Sequence, residues 1–350
     1  MRLLDRIVQS VQPLTVEQHD GSTWRLTAAA DYAAALGRCP LRYVLQDDLV
    51  AYCTQLAYSA RRDLSGYLGA IRLPSETLWI EWNDRIRRTH QFSDPTAAMP
   101  AAEASAVSHA GVLISAAAGG RSGNLRTFWA TEEADQEPQL APVETLLDLD
   151  GMSGAGGVEE FFAGASVSVG DSRDATVRQL LSRASFRLDE AWGAYYRHAA
   201  GTAQVREAVA STLLGAAAHD VPVLMAFLLL LSVREAVVTR PVGFERLNAK
   251  RGRLGRRRLL AHVEVAMALP SLAYASAPGA GGLRVGPRLH HVRGHLVHRR
   301  GKVHWRLPHY RGHLRLGAVH SRTVTLGVAA AALADCNARG SSQDVHDSGG

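Results

Sequence analysis

Cysteine is scarce in this chain, and aromatic residues are few. The three cysteines, Cys39, Cys53 and Cys336, stand far apart and are odd in number. That argues against a disulfide framework and points to a reducing cytoplasm. Aromatics make up 6% of the residues against 47% apolar overall, so much of the core must come from small side chains. Long apolar runs are absent as well. The longest strongly apolar run is Val221 to Leu231, which contains Pro222. It is too short to span a bilayer and reads as a buried helix. The first residues, Met1-Arg2-Leu3-Leu4-Asp5-Arg6, lack the apolar stretch of a secretory signal. The expectation is a cytoplasmic protein without membrane contact.

Carboxylates are missing from one long segment. None occurs from Val265 to Ala334. Residues 241–334 carry 17 Lys and Arg against only Glu245 and Glu264, a net charge of +15, and the rest of the chain carries −9. A basic part on an acidic body suggests an anionic partner, or attraction between the two parts of the chain.

The basic part centres on Arg288 to Arg315, which holds seven histidines and eight arginines and lysines in 28 residues. It contains a near-repeat, Arg293-Gly294-His295 and Arg311-Gly312-His313. Lys302 to Leu307 alternates polar and apolar residues after a Gly-containing turn, which predicts a hairpin. Val303, Trp305 and Leu307 would share one face, and Lys302, His304 and Arg306 the other. Pro308 would stop the second strand.

Three uses of this ribbon compete. In the first, Arg293, His295, Arg299, Arg300, Lys302, Arg306, His309 and Arg311 meet nucleic acid, and Trp305 stacks on a base. In the second, the histidines bind a metal, although their spacing fits no standard zinc motif and no acidic ligand lies nearby. In the third, the ribbon is structural and its charges are merely solvated. A second basic run, Arg246 to Arg258, offers Arg246, Lys250, Arg251, Arg253, Arg256, Arg257 and Arg258 to phosphates. Gly252 and Gly255 argue against a continuous helix there, so it reads as a flexible arm or a solvated loop.

The rest of the chain reads as an α+β protein. An Ala-rich run at 26–36, closed by Gly37, and a segment at 45–68 with Leu49, Tyr52, Cys53, Leu56 and Ala57 at helical spacing predict helices. Cys53 belongs to the core face of the second. Thr77 to Trp82, Gly111 to Ala116, Asn124 to Ala130 and Val143 to Asp150 predict a small antiparallel meander within 74–150. Glu81, between two tryptophans, is a carboxylate that burial could turn into a general base; a salt bridge is the plainer reading. The Gly-rich loop at 119–123 lacks the Gly-Lys-Ser/Thr of a phosphate loop. Helices are expected over 171–206 and 207–239, including a buried one from Val223 to Val238, and a strand from Leu259 to Leu269. The parts are then 1–150, helices with an antiparallel sheet; 151–240, helical; 241–334, basic and β-rich with a C-terminal hairpin; and 335–350, a disordered tail.

Three motifs then stand in order: Leu73-Pro74 through Trp79-Ile80-Glu81-Trp82; Arg246-Leu247-Asn248 with Lys250-Arg251-Gly252 and Leu259-Leu260; and Val292-Arg293-Gly294-His295 with Gly301-Lys302, Trp305, Pro308-His309 and Arg311-Gly312. In that order they resemble a group of proteins encoded by bacteriophages and prophages of GC-rich bacteria. The resemblance spans about residues 70 to 315. In that group a proline usually precedes the leucine of the second motif, where this chain has Arg257-Arg258 before Leu259. The resemblance carries no catalytic residue; it implies a phage-derived protein of the bacterial cytoplasm that meets DNA.

The expected function is therefore non-catalytic binding of nucleic acid, DNA in the first place, or of another polyanion. No cofactor and no metal are expected. The alternatives are a metal- or histidine-dependent nuclease and a structural or assembly protein of a phage particle.

Overall fold

Eight strands of this protein join in a single sheet. The computed structural model describes residues 2–10, 15–17, 23–25, 32–58, 65–91, 107–132, 137–150, 183–188, 220–268, 288–292, 294–299, 302–306, 309–311 and 313–318. Contacts divide the chain into two units, Met1–Ala268 with His298–Trp305, and Leu269–Val297 with Arg306–Gly350.

In the first unit β1 (Thr15–Glu17) and β2 (Thr23–Arg25) form an antiparallel pair of their own. The large sheet uses β3 (Leu41–Leu45), β4 (Thr77–Asn83), β5 (Val107–Ala116), β6 (Ser122–Thr131), β7 (Gln139–Asp148), β8 (Ala184–Leu188), β9 (Val237–Val242) and β10 (His262–Met267). Its order is β8-β7-β6-β5-β4-β3-β10-β9. From β4 to β8 each neighbour runs antiparallel. β3 pairs parallel with both β4 and β10, and β9 closes the edge antiparallel to β10. Pro241 sits on that edge strand, where a missing N–H can be tolerated.

β4 shows why the sheet needs cover on both sides. Leu78, Trp79, Ile80, Glu81 and Trp82 are all buried, so apolar side chains leave the strand in both directions. On one face α1 (Leu3–Gln9) and α2 (Ala33–Arg38) bring Leu3, Leu4, Ile7 and Leu36 against Trp79, Leu113, Phe128 and Leu140. Gly111 lies opposite Glu81 in register, and a methyl there would run into the Trp79 indole. On the other face lie α3 (Asp47–Ala57), α4 (Asp84–Gln91) and α5 (220–231). The α5 side chains from Val221 to Leu230 are buried on all sides, apolar residues throughout apart from Pro222, and Phe227 meets Tyr43 of β3 edge-on, ring centroids 5.9 Å apart. Cys53 of α3 is in the core, and burial pushes its thiol pKa up.

Several expectations are corrected. The sheet is large and mixed rather than a small antiparallel meander, because β3, β8, β9 and β10 come from outside 74–150 and β3 pairs parallel with its neighbours. The helix read over 45–68 ends at Ala57, and a 3-10 turn follows at Ser65–Ala70. Gly37 lies inside α2 instead of closing it. Within the helix read over 171–206, residues 184–188 form β8 at the sheet edge. The buried helix stops at 231, and Val237-Val238 belong to β9, where β-branched residues suit a pleated strand.

The second unit contains β11 (Arg288–Val292), β14 (His309–Arg311) and β15 (His313–Ala318), in the order β14-β11-β15. β11 runs antiparallel to β14 and parallel to β15. β12 (His295–Arg299) and β13 (Lys302–Arg306) make a separate two-stranded sheet. Residues 319–334 of the part expected to be basic and β-rich, and the tail expected at 335–350, lie outside the described residues.

Among the described residues no helix is long and apolar enough to cross a membrane.

A candidate nucleic-acid interface

The basic run at 246–258 is not an unstructured arm. Glu245–Arg253 forms helix α6, none of whose residues is buried. Of the two glycines that argued against a helix, Gly252 lies inside it and Gly255 explains where it ends. Gly255 takes a left-handed conformation, φ +66°, that an L side chain resists. The Gly255 N–H donates to the Gly252 carbonyl at 3.1 Å, and the Arg256 N–H to the Arg251 carbonyl at 2.9 Å. This pair of bonds is a Schellman motif, which satisfies the last carbonyls of the helix.

Two side chains hold α6 to the chain that follows it. Asn248 Nδ2 donates to the Leu259 carbonyl at 2.9 Å, and the Leu259 N–H donates to Asn248 Oδ1 at 2.8 Å. Arg251 Nε donates to the Arg257 carbonyl at 2.8 Å. Arg257 in turn reaches the end of α1, where its Nη1 donates to the carbonyls of Val8, 2.8 Å, and Ser10, 3.1 Å. A guanidinium suits such helix-end carbonyls, which carry the negative end of the helix dipole.

These contacts sort the cations. At about 100° per residue, Asn248 and Arg251 share one side of α6, and Arg246, Lys250 and Arg253 fall together on the opposite side. Arg246, Lys250, Arg253, Arg256 and Arg258 are all exposed, and among the described residues none of their side chains has a hydrogen bond or an ion pair. Leu247 and Leu254, 45% and 60% exposed, border the cationic side. Arg251 and Arg257, expected to meet phosphates, have at least one nitrogen engaged with backbone.

Beneath α6 a second network ties the N-terminus to the sheet edge. Arg2 hydrogen-bonds His262, and its Nη2 meets Glu264 Oε1 at 2.6 Å. Arg240 of β9 is also paired with Glu264. The hydrogen bond from Arg240 holds the Glu264 carboxyl below its ordinary range, against some desolvation. Burial, then the Arg2 charge, pushes the His262 imidazole down. The Phe244 ring tilts against His262 with centroids 5.5 Å apart.

The residues expected to form the hairpin fall into three groups. Lys302, His304 and Arg306 are exposed, while Val303 is half-buried and Trp305 buried, which is the alternation read from the sequence. Arg299 is also exposed, at the end of β12, and His295 is half-buried at its start. Trp305 meets Tyr52 of α3 edge-on, centroids 5.4 Å apart, so its ring is a packing contact and not an open stacking platform. His309 and Arg311 belong to β14, with Arg311 exposed. Arg293 and Arg300 lie outside the described residues.

Glu81 has a structural task. Its Oε1 accepts the Leu3 N–H at 2.7 Å, its Oε2 the Leu4 N–H at 2.9 Å, and Trp79 Nε1 donates to Oε2 at 3.3 Å. The carboxylate thus closes the N-terminus of α1. Burial raises its pKa, and these donors work against the rise. A second buried set surrounds Asp84. Arg87 Nε donates to Asp84 Oδ1 at 2.6 Å, and Trp82 Nε1 to the same oxygen at 3.3 Å. Asp220 lies 3.9 Å from Arg87 and accepts Trp129 Nε1 at 3.4 Å. Burial pushes Asp220 up to about 7, with Asp84 adding to the rise and Arg87 opposing it. Among the described residues no group of three or more His, Cys, Asp or Glu side chains could hold a metal ion.

Sequence reasoning missed the roles of Asn248 and Arg257. The Arg-Leu-Asn spacing gave no local sign of either, because their partners lie 11 and 249 residues away. No protein-family model, curated protein or solved structure matches this chain.

Proposed function

We propose that this is a phage- or prophage-type protein of the bacterial cytoplasm that binds nucleic acid, DNA in the first place, through its basic C-terminal part. The observation that carries this reading is α6 with the turn after it. Five exposed cations stand together there without an acidic partner among the described residues. A surface lined by charges of one sign attracts counter-ions, and a phosphate backbone supplies them in a row. The exposed side of the hairpin, with Arg299, Lys302, His304 and Arg306, offers a further cationic surface. Its role is backbone contact, since Trp305 packs on Tyr52.

The test is a fluorescence-anisotropy titration with labelled DNA and RNA at low and moderate salt. Binding should weaken steeply as salt rises, because each phosphate contact adds about −0.9 to the slope of log K against log salt. Arg299→Ala/Lys302→Ala/Arg306→Ala and Arg246→Ala/Lys250→Ala/Arg253→Ala would divide the effect between hairpin and helix. No binding at low salt to either nucleic acid would remove the proposal.

A further inference from the structure

We infer that the nucleic acid is a duplex, held along its phosphate backbone by the Arg246, Lys250 and Arg253 side of α6. This rests on the polyanion reading above and goes beyond it by naming the form of the ligand.

Three features of α6 lead there. The first is length. Residues 246 to 253 rise about 10 Å along the helix axis, and one strand of a duplex presents a phosphate about every 3.4 Å of its axis. A row of three cations therefore faces about three successive phosphates of a backbone whose spacing is fixed. The second is rigidity. The Schellman bonds, the Asn248 amide on Leu259 and the Arg257 guanidinium on Val8 and Ser10 fix the helix on its outgoing chain. A preformed row suits a regular ligand, because little side-chain and loop ordering remains to oppose binding.

The third is the placing of the aromatic rings. Proteins that hold single strands draw much of their affinity from bases stacked on exposed rings. Among the described residues the aromatic ring beside α6 is Phe244, half-buried and tilted against His262. On the hairpin, the Trp305 ring is buried against Tyr52. Neither ring is open to a base. The ends of α6 add no anion site either. Glu245 stands in the first turn, so its charge opposes a phosphate at the N-terminus, and the C-terminus is closed by the turn at Gly255. Binding falls to the side chains on the flank.

The experiment titrates the full chain against a labelled duplex of roughly 20 base pairs, a single strand of the same length, and phosphatidylserine/phosphatidylcholine vesicles, at about 50 and about 200 mM salt. The duplex should bind about tenfold tighter than the single strand. Arg246→Ala/Lys250→Ala/Arg253→Ala should lower the magnitude of the duplex salt slope by about 3. All three positions are exposed, so the variant should keep the wild-type unfolding temperature.

A single strand bound as tightly as the duplex would overturn the inference and leave the polyanion reading standing. Duplex binding unchanged by the triple substitution would also overturn it, and would move the contact away from α6. Vesicles bound more tightly than the duplex would assign the cationic, leucine-bordered side of α6 to a membrane surface instead. Failure of both nucleic acids at low salt would remove both proposals together.

Discussion

Asn248 grips the backbone of Leu259 with both atoms of its side-chain amide, donating at 2.9 Å and accepting at 2.8 Å. One side chain thus does for the outgoing chain what a strand neighbour would do, and α6 is held on the body without a buried residue of its own.

Asn248→Ala should therefore loosen α6 while sparing the sheet. Two partly buried hydrogen bonds are lost, roughly 1–3 kcal/mol together. Hydrogen exchange should rise at Leu259 and through 245–256, and duplex affinity should fall with little change in salt slope, since no cation is removed. Unchanged exchange at Leu259 would contradict the arrangement.

Trp305 separates packing from stacking. Its ring is buried against Tyr52, and its Nε1 has no hydrogen-bond partner among the described residues. Trp305→Phe keeps a ring at the contact and should cost less than truncation to alanine. Trp305→Ala should cost roughly 3–5 kcal/mol or release the hairpin from α3. Denaturant unfolding and limited proteolysis distinguish the two. A Phe variant that keeps its stability but loses nucleic-acid affinity would return Trp305 to a stacking role.

Glu81 holds the start of α1 against the sheet. Glu81→Ala leaves the Leu3 and Leu4 N–H groups without their carboxylate acceptor. The loss should be roughly 3–5 kcal/mol, with about 1–3 kcal/mol for each buried unsatisfied group. Glu81→Gln should do almost as badly, because one amide oxygen replaces two carboxylate oxygens. A Gln variant with wild-type thermal stability would show that the carboxylate is not needed.

Asp220 predicts a pH dependence. Burial raises its folded pKa from 3.8 to about 7, so the folded state binds this proton more tightly than the unfolded chain does. The contribution is fully present below 3.8 and is lost as pH rises through about 7. Asp220→Asn removes this group, so the variant should lose less stability than wild type between these limits. The difference between the two proteins should be widest at the alkaline end. Thermal midpoints measured across that window check it, and parallel curves for the two proteins would refute it.

Much of the local structure was legible in the chain. The alternation of Lys302 to Arg306 matches the exposure seen on β13. Of the residues read at helical spacing, Leu49, Cys53, Leu56 and Ala57 lie on the buried side of α3, and Tyr52 is half-buried. Val221 to Leu230, apolar apart from Pro222, does form a buried helix. In each case one side of an element must avoid water, so its period appears in the sequence. The charged surface was legible for the same local reason, since its arginines and lysines are consecutive or nearly so.

Three features were not legible. β10 pairs parallel with β3, more than 200 residues earlier, and no local pattern names a distant strand partner. α6 formed despite two glycines because Gly255 supplied its end and Asn248 its attachment. Glu81 and Trp305 looked reactive or adhesive in isolation, and each found a structural partner far along the chain. The sequence alone determined where apolar periodicity and positive charge lie, because those depend on residues within a few positions; it did not determine that 184–188 and Val237-Val238 are extended or that 245–253 is helical. Only the tertiary structure decided which cations stay free and which polar groups are consumed in packing. That choice rests on hydrogen bonds and burial between residues that meet only when the chain folds.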